Sequence, residues 1–437
     1  MQTKNLKKYL VRSAILKRTF LTCLLAGTSC ITFALDPNQF NLTRLTEELR
    51  ANNAQLKQSQ NNWEAAKEVG IQQSAPDNPT IGLSNNPFMK GGGLPTDANY
   101  TNQAYFFSLT QNIYFPGKKN LMGEIADKQA DFVKTQISST DLQLVNQLET
   151  NYFQALALEK VMEENKNQIV RLEQIKLATK VRYGNNAADF SDFISSQVAQ
   201  SAAEKDQIAY KRQLAVLKGN INTLIGRKPS APLDLVYDKL NPDALKTTLK
   251  ELQDLGMGRN PNVEGAAHQK IAAEKSVNLA KLNYAPDFQI TAFGNKQNQL
   301  WQGPGVINYG AQLNIIIPWV IFDKERASVS QAKANLRSSE ENENNTRQQV
   351  SLAIESAHLM LKQSIDESNF IRNRLLPEAH AAYRIALQSY MHSQLAFSDL
   401  INAQNNLKNT EIQLVSADVN IFIARSNLEA SVGEKIQ

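Results

Sequence analysis

Cysteine, aromatic residues and long hydrophobic runs are all scarce in this sequence of 437 residues. Its two cysteines, Cys23 and Cys30, both lie near the N-terminus, which excludes a disulfide or a cysteine metal site from the rest of the chain. Aromatic residues make up 7% against 42% hydrophobic residues, a lean composition that suits long helices with narrow apolar stripes. No run of 18 apolar residues follows residue 34, which excludes a helical membrane protein.

The N-terminal segment predicts a secretory signal peptide over residues 1–34. A basic head without acids precedes an apolar stretch and small residues at a plausible cleavage site. A single membrane anchor and a lipidated N-terminus at Cys30 are the alternatives. The formal net charge of +5 comes from this head, because its removal leaves Lys and Arg nearly balanced by Asp and Glu. The charge therefore indicates no nucleic-acid partner.

One short phrase occurs twice, at a spacing of 207 residues. The matching pairs are Tyr183/Tyr390, Phe190/Phe397, Ser191/Ser398, Asp192/Asp399, Ile194/Ile401 and Gln197/Gln404. Two further echoes support it: Lys118 matches Lys324 at a spacing of 206, and an Ala-Pro-Asp segment recurs at 210. Three repeated segments at nearly the same spacing indicate an internal duplication.

Each repeat is predicted to contain a helical segment, two strands and a long helical hairpin. The first repeat, 35–226, has a helix over 42–74, a β-hairpin over 80–115 and a helical hairpin over 118–225. The second, 227–437, has a helix over about 245–283, a β-hairpin over 287–317 and a helical hairpin over 323–432. The strands follow from alternation of apolar and polar residues, and the helices from apolar stripes in proline-free runs.

The predicted fold class is mostly α with a small β part. The long helices must pair as antiparallel coiled coils, because only one stripe of each is apolar. Four strands cannot close a barrel in lipid, so the chain is expected to be one segment of an oligomeric barrel. Tyr105, Tyr114, Trp301 and Trp319 near the strand ends favour interfacial aromatic girdles, with ordinary strand ends as the alternative.

The sequence resembles the TolC-type outer-membrane efflux channels, particularly their cation-efflux branch. The family signature, Tyr-x2-Gly-x5-Asp-Val-Leu followed by Ala-Gln, is approached in both copies of the repeated phrase. The strand-to-helix segments and the segment from Arg259 are also similar. This resemblance implies a homotrimer with a twelve-stranded outer-membrane β-barrel and a long periplasmic α-barrel. It implies a passive exit duct in contact with outer-membrane lipid, docked to a periplasmic adaptor protein and an inner-membrane pump.

The repeated phrases are predicted to form the tips of the two helical hairpins, and the resemblance makes them the adaptor-docking sites. The residues assigned to the tips are Tyr183, Asn186, Asp189, Phe190, Ser191, Asp192, Tyr390, Ser393, Phe397, Ser398 and Asp399. Their Ser and Asp side chains are expected either to cap the returning helix alone or to cap it and also dock a partner. The family glycine is replaced by Asn186 and Ser393, and Ser393 is expected to turn differently because serine enters the left-handed region less readily.

Pro377 is predicted to bend the second hairpin, because proline removes a helical hydrogen bond and clashes with the preceding turn. The matching residue of the first repeat, Val170, lies in an unbroken helix pattern. Pro377 is therefore a candidate hinge of a gate, with Arg384 setting the closed state through a neighbouring acid. A change of supercoil without a hinge is the alternative.

Enzymatic chemistry is not expected. The sequence indicates no catalytic residue, no cofactor and no metal site, since its four histidines lack ligand spacing. Lys118 and Lys119 are expected to be a solvated helix start or a headgroup contact. The alternative functions are a periplasmic coiled-coil adaptor of an efflux system and a secreted structural coiled coil.

Overall fold

The computed structural model describes residues 39–89, 102–237, 247–297, 306–318 and 323–436, and the described residues from Phe40 onward belong to one compact unit. The predicted signal peptide, Trp301 and Trp319 lie outside the described residues.

Helices and strands follow one another in the predicted order in both repeats. The first repeat contains β1 (Gln39–Phe40), α1 (Leu42–Asn52), α2 (Ala54–Ser74), β2 (Thr80–Met89), β3 (Asn102–Ile113), α3 (Lys118–Gly184) and α4 (Phe190–Leu224). The second contains β4 (Asp234–Leu235), α5 (Leu249–Arg259), α6 (Pro261–Leu282), β5 (Asp287–Gln297), β6 (Val306–Ile316), α7 (Asp323–Phe370), a π-helical turn (Ile371–Leu375), α8 (Leu376–Met391) and α9 (Phe397–Val432).

The two β-hairpins join into one antiparallel sheet with the order β2-β3-β5-β6. Thr80 lies opposite Thr110, Ile113 opposite Phe288, and Ile290 opposite Leu313. This register puts the alternating apolar side chains of all four strands on one face. The other face carries a polar network in which Thr110 contacts Thr291 at 3.1 Å and Gln289 donates to Asn112 at 3.0 Å. The predicted separation into an apolar and a polar face is confirmed.

The long helices lie in a row with the order α4–α3–α9–α7, and α8 continues α7 beyond the π-helical turn. α3 therefore packs against a helix of each repeat. A core around Leu148 and Tyr152 on α3 also takes in Ile221 of α4 and Val419 of α9. A second core joins α7 and α9 to α5. The narrow apolar stripes thus bury leucine, isoleucine and alanine between helices, as the composition predicted.

Each predicted first helix is in fact two helices, broken at a buried asparagine. Asn53 caps α2 and Asn260 caps α6, each through its side-chain oxygen. Each side-chain amide also donates at 2.8 Å to the end of the returning helix hairpin, Asn53 to the carbonyl of Leu224 and Asn260 to that of Ser431. We call these two sites the junctions. The asparagines and their partners both recur at a spacing of 207 residues.

A glycine completes each junction for a stereochemical reason. Gly226 and Gly433 follow the returning helices with φ of 76° and 100°, a region that residues with a Cβ atom rarely adopt. A Cβ atom at Gly433 would lie 2.9 Å from the carbonyl oxygen of Arg259. The backbone where α5 meets α6 therefore approaches too closely for a side chain at Gly433.

The π-helical turn accounts for the change of spacing between the repeats. Along α3 and the α7 segment before the turn, the repeats align at 206, as Lys118 does with Lys324, and Leu148 and Ile354 are both fully buried at this spacing. Beyond the turn they align at 207, as Tyr183 does with Tyr390. The segment from α7 to α8 thus has one more residue than the matching part of α3, and a π-turn is the form in which a helix takes up a single extra residue.

Lys118 is buried, so the expectation of a solvated helix start was wrong for this residue. It is 3% exposed, and its ammonium donates to Asp287 Oδ1 at 2.8 Å and to the carbonyl of Ala285 at 3.2 Å. The backbone N–H of Phe115 donates to the same carboxylate oxygen. Lys119 pairs with Asp77 at 2.7 Å. These ion pairs join the end of β3 to the segments that lead into β2 and β5.

Candidate functional site

Both hairpin tips turn through one residue in the left-handed region. Asn186 has φ of 53° and Ser393 has φ of 62°. In the first tip the N–H groups of Asn186 and Ala187 donate to the carbonyls of Tyr183 and Arg182. The N–H groups of Ser393 and Gln394 make the equivalent bonds to Tyr390 and Ser389. The expectation that Ser393 turns differently was wrong, because these bonds and the Asn-like φ are reproduced in the second tip.

Arg182 joins the two tips within one chain. Its guanidinium donates to the carbonyl of Tyr390 and to Ser393 Oγ at 3.0 Å in the second tip. It also donates to the carbonyl of Ala187 at 2.6 Å in the first tip. The guanidinium carbon lies 4.1 Å from the centre of the Tyr390 ring, a cation–π contact. One side chain therefore holds both turns in a fixed relation.

Tyr390 and Asp192 make the second contact between the tips. The hydroxyl of Tyr390 donates to Asp192 Oδ2 at 3.5 Å. Burial, together with the charge of Asp192, raises the pKa of Tyr390 to about 12, so the hydroxyl stays a neutral donor. Burial and then the neighbouring Asp189 raise the pKa of Asp192, against the effect of the Tyr390 hydroxyl and Arg182. The structure therefore brings together Asp192 and Tyr390 from the two predicted tip sites.

The two tips differ in what they expose. Tyr183 and Phe190 lie with ring centres 5.4 Å apart and are 47% and 53% exposed. In the second tip Tyr390 is 1% exposed, since Arg182 covers its ring, and Phe397 is partly buried against it. Ile194 adds a further exposed apolar side chain beside the first tip. The first tip thus presents an aromatic patch that the second lacks.

Side-chain capping does not explain the repeated Ser and Asp residues. The capping positions are Asp189 in α4 and Ala396 in α9, and neither makes a side-chain cap hydrogen bond. Asp192 and Asp399 instead lie in the first helical turn, where a negative charge is favoured by the helix dipole. Ser191, Ser398 and Asp399 are exposed.

Pro377 is the second residue of α8, directly after the π-helical turn. The N–H of Leu376 reaches back five residues to the carbonyl of Ile371. A wider turn at this point relieves the clash that proline makes with an α-helical turn. Arg384 is exposed, and no ion pair is recorded for it in the part of the chain that the structure describes. The hinge and closed-state roles of these two residues stay predictions.

A buried ion pair further from the tips was not foreseen. Arg171 of α3 contacts Glu411 of α9 at 2.5 Å, and the two side chains are 18% and 9% exposed. Burial raises the pKa of Glu411, while Arg171 opposes this effect. The contacts of Arg171 and Arg182 could not be predicted from the sequence, because their partners in the second repeat are more than 200 residues away.

None of the helices in the described ranges has the length and apolar character needed to cross a membrane. Among the same residues, no group of three or more His, Cys, Asp or Glu side chains is placed to hold a metal ion.

Residues 254–434, which make up most of the second repeat, match the family described as "Outer membrane efflux protein". A search of curated proteins finds no match.

Several solved structures share the fold. The outer membrane protein VceC of Vibrio cholerae is 15% identical, with a TM-score of 0.74, covering 91% of this chain and 97% of its own. A membrane protein from Pseudomonas aeruginosa is 17% identical, with a TM-score of 0.75 and coverages of 90% and 93%. The CmeC outer membrane channel of Campylobacter jejuni is 13% identical, with a TM-score of 0.74 and coverages of 91% and 86%. At these identities the matches show the fold over both repeats.

The family match over residues 254–434 and the fold shared over both repeats support the resemblance to TolC-type outer-membrane efflux channels that the sequence predicted. The alternative of a periplasmic adaptor is not supported. The cation-efflux branch stays a prediction, because structural matches at these identities do not separate branches.

Proposed function

We propose that three copies of this chain form the passive exit duct of a tripartite efflux system. The observation that carries the proposal is a sheet whose two edges are unpaired among the described residues and whose one face is apolar, attached to two long helical hairpins. The duct would dock with a periplasmic adaptor protein and an inner-membrane pump, which supplies the energy. No nucleic-acid partner is part of the proposal, because the charge outside the predicted signal peptide is nearly balanced.

Lipid is the partner that the apolar face of the sheet fits. Its large side chains are strongly exposed in the single chain, for example Leu83 at 78% and Tyr309 at 88%. Strand edges in lipid must be paired, and three copies of four strands give a barrel of twelve, wide enough for a lumen. The polar network of the opposite face would then line the duct.

The exposed aromatic patch of the first tip supports adaptor docking there. Truncation of Phe190 to alanine should weaken efflux strongly, because an exposed aromatic anchor in a docking surface carries much of the binding energy. Val170→Ala removes an equally exposed apolar side chain from the shaft of α3 and is the matched control. Lysine at both Asp192 and Asp399 should likewise abolish efflux while trimers persist. Normal efflux in assembled Phe190→Ala protein would reject docking at this patch.

Pro377 and the π-helical turn are proposed as the bending point of the second hairpin. Pro377→Ala should change the resting conductance of the purified channel in planar bilayers if this turn sets the closed state. An unchanged conductance would leave Pro377 a supercoil feature and remove Arg384 from the gate as well.

The proposed function is tested by deleting the gene and restoring it from a plasmid. The restored protein should fractionate with the outer membrane, run as a heat-modifiable trimer and recover efflux of a fluorescent dye. Recovery of the protein as a soluble periplasmic monomer would overturn the proposal.

A further inference from the structure

Gln404, the last matching residue in the second copy of the repeated phrase, is fully buried with an unpaired side-chain amide. Its exposed fraction is 0%, and neither Oε1 nor Nε2 has a hydrogen-bond partner in the part of the chain that the structure describes. Leu400 and Leu407, on the same face of α9, are also 0% exposed. A buried amide that loses its hydrogen bonds to water and gains none destabilises a protein, so such groups normally have a partner.

Tyr383 of α8 carries a second unpaired polar group. It is 7% exposed, and its hydroxyl has no hydrogen-bond partner among the described residues. Burial raises the pKa of Tyr383, against the effect of the nearby charge of Arg171. The hydroxyl therefore stays protonated and can both donate and accept a hydrogen bond.

The geometry of the second hairpin places these two groups at the same level. Tyr390 and Phe397, on either side of the tip, contact each other with ring centres 5.9 Å apart. Tyr383 lies seven residues before Tyr390, and Gln404 lies seven residues after Phe397. Seven residues make nearly two helical turns and return to the same side of each helix. Tyr383 and Gln404 therefore face each other across α8 and α9.

The side chains around the pair cannot satisfy it. Tyr383 belongs to a third hydrophobic core, whose other buried members are Leu172, Ile175, Ala203, Ala386, Tyr390, Leu400 and Leu407. Tyr390 is the one member of this group with a polar side-chain atom, and its hydroxyl donates to Asp192. An apolar core thus surrounds two groups that need hydrogen bonds.

The first repeat has the same layer in a solvated form. At a spacing of 207, Tyr383 corresponds to Lys176 and Gln404 to Gln197. Gln197 is exposed, and Lys176 donates to Gln200 Oε1 at 2.8 Å. Solvent and a neighbouring amide therefore satisfy the polar groups of the first hairpin. The second hairpin keeps the glutamine of the repeated phrase and removes it from solvent.

We propose that one or two ordered water molecules are bound between the hydroxyl of Tyr383 and the side-chain amide of Gln404, inside the second hairpin. A buried water typically makes about three hydrogen bonds to otherwise unsatisfied groups, and the hydroxyl and the two amide atoms offer that number. The ligand is small and neutral, because the pair carries no charge and is closed to solvent. Hydrogen bonds through water then hold α8 to α9 at this level. The site lies within one chain and does not depend on the proposed assembly.

A structure of the purified protein at a resolution that shows ordered water tests the site directly. We expect density for a water at about 2.5–3.2 Å from Tyr383 Oη and from either Oε1 or Nε2 of Gln404. A direct bond between the hydroxyl and the amide, or a layer without such density, would overturn the proposal.

Paired substitutions measure the coupling that a shared water requires. Tyr383→Phe or Gln404→Leu alone takes one partner from the water, so each single variant should lower the melting temperature of the helical circular dichroism signal. The double variant makes the whole layer apolar and should melt higher than either single variant. Gln197→Leu, at the exposed equivalent position, is the matched control and should melt as the parent does. Additive changes of either sign would show that the two groups act independently and would overturn the shared water.

Discussion

The two flanks of the second hairpin differ in the part nearest the tips. On the flank towards α3 of the same chain, Arg171 pairs with Glu411 and Arg182 binds the second tip. At a spacing of 207, Glu378 corresponds to Arg171 and Ser389 to Arg182 on the other flank of the second hairpin, and Glu204 of α4, at the far end of the helix row, corresponds to Glu411. Two carboxylates and a serine thus replace two arginine contacts where a second copy would lie.

This difference predicts where a duct of three copies would open. Opposite charges hold the two hairpins of one chain together. At a seam between proposed copies, Glu378, which pairs with Arg374 of its own chain, and Glu204 would supply no equivalent ion pair. Leu352 and Leu359 of α7, which are exposed in the single chain, lie further from the tips and offer an apolar contact there instead. The contacts therefore favour joint movement of both hairpins of a chain over movement of the second hairpin alone, which a hinge at Pro377 would predict.

Removing Arg171 should have the largest effect on the flank within the chain. Arg171→Met leaves Glu411 without its partner in a largely buried site, at a cost of about 2–3 kcal/mol. The matched control is Arg374→Met. Arg374 pairs with Glu378 in an exposed position, so its loss should lower the free energy of unfolding by less than about 1 kcal/mol. The melting temperature of the helical circular dichroism signal at neutral pH compares the two variants.

The effect of Arg171→Met should depend on pH in a defined direction. Burial raises the pKa of Glu411 in the folded protein, so the ionised carboxylate is penalised above that pKa and relieved as pH falls through it. The variant should therefore regain melting temperature relative to the parent in mildly acidic buffer. A loss that is constant with pH would show that Glu411 is not the source of the effect.

The ion pairs Lys118–Asp287 and Lys119–Asp77, beside the sheet, also differ in burial. Asp287→Asn should cost about 2 kcal/mol, because it leaves the nearly inaccessible ammonium of Lys118 without a counter-charge. Asp77→Asn should cost about 1 kcal/mol or less, since Lys119 and Asp77 both remain partly exposed. Equal losses in melting temperature would contradict the difference in burial between the two sites.

Substitutions at the two junctions should cost similar amounts of stability, whereas the two tips differ in their contacts. Asn53→Ala and Asn260→Ala each remove a helix cap and a buried hydrogen bond, at a cost of about 2 kcal/mol. Serine at either position keeps the cap oxygen and should restore about half of the loss. If one junction proved much more sensitive than the other, the equivalence of the repeats at this level would fail.

The architecture could be predicted because the sequence patterns of its helices and strands are local and occur in both repeats. Proline-free runs with apolar stripes set the long helices, and alternation set the strands, to within a few residues. The break at Asn260 also had a local signal, since Pro261 marks a first helical position. The burial of Lys118 and the contacts of Arg171 and Arg182 had none, because each depends on a partner far along the chain.

The central claim is that the tips separate between copies and not within a chain, and two reversible locks test it directly. Arg171→Cys with Glu411→Cys links the hairpins of one chain, and Glu378→Cys with Glu204→Cys links neighbouring copies at the equivalent level. Dye efflux is measured with each pair oxidised and again after reduction. The account predicts that only the lock between copies abolishes efflux and that reduction restores it. Full efflux with the copies locked together, or a block by the lock within the chain, would contradict it.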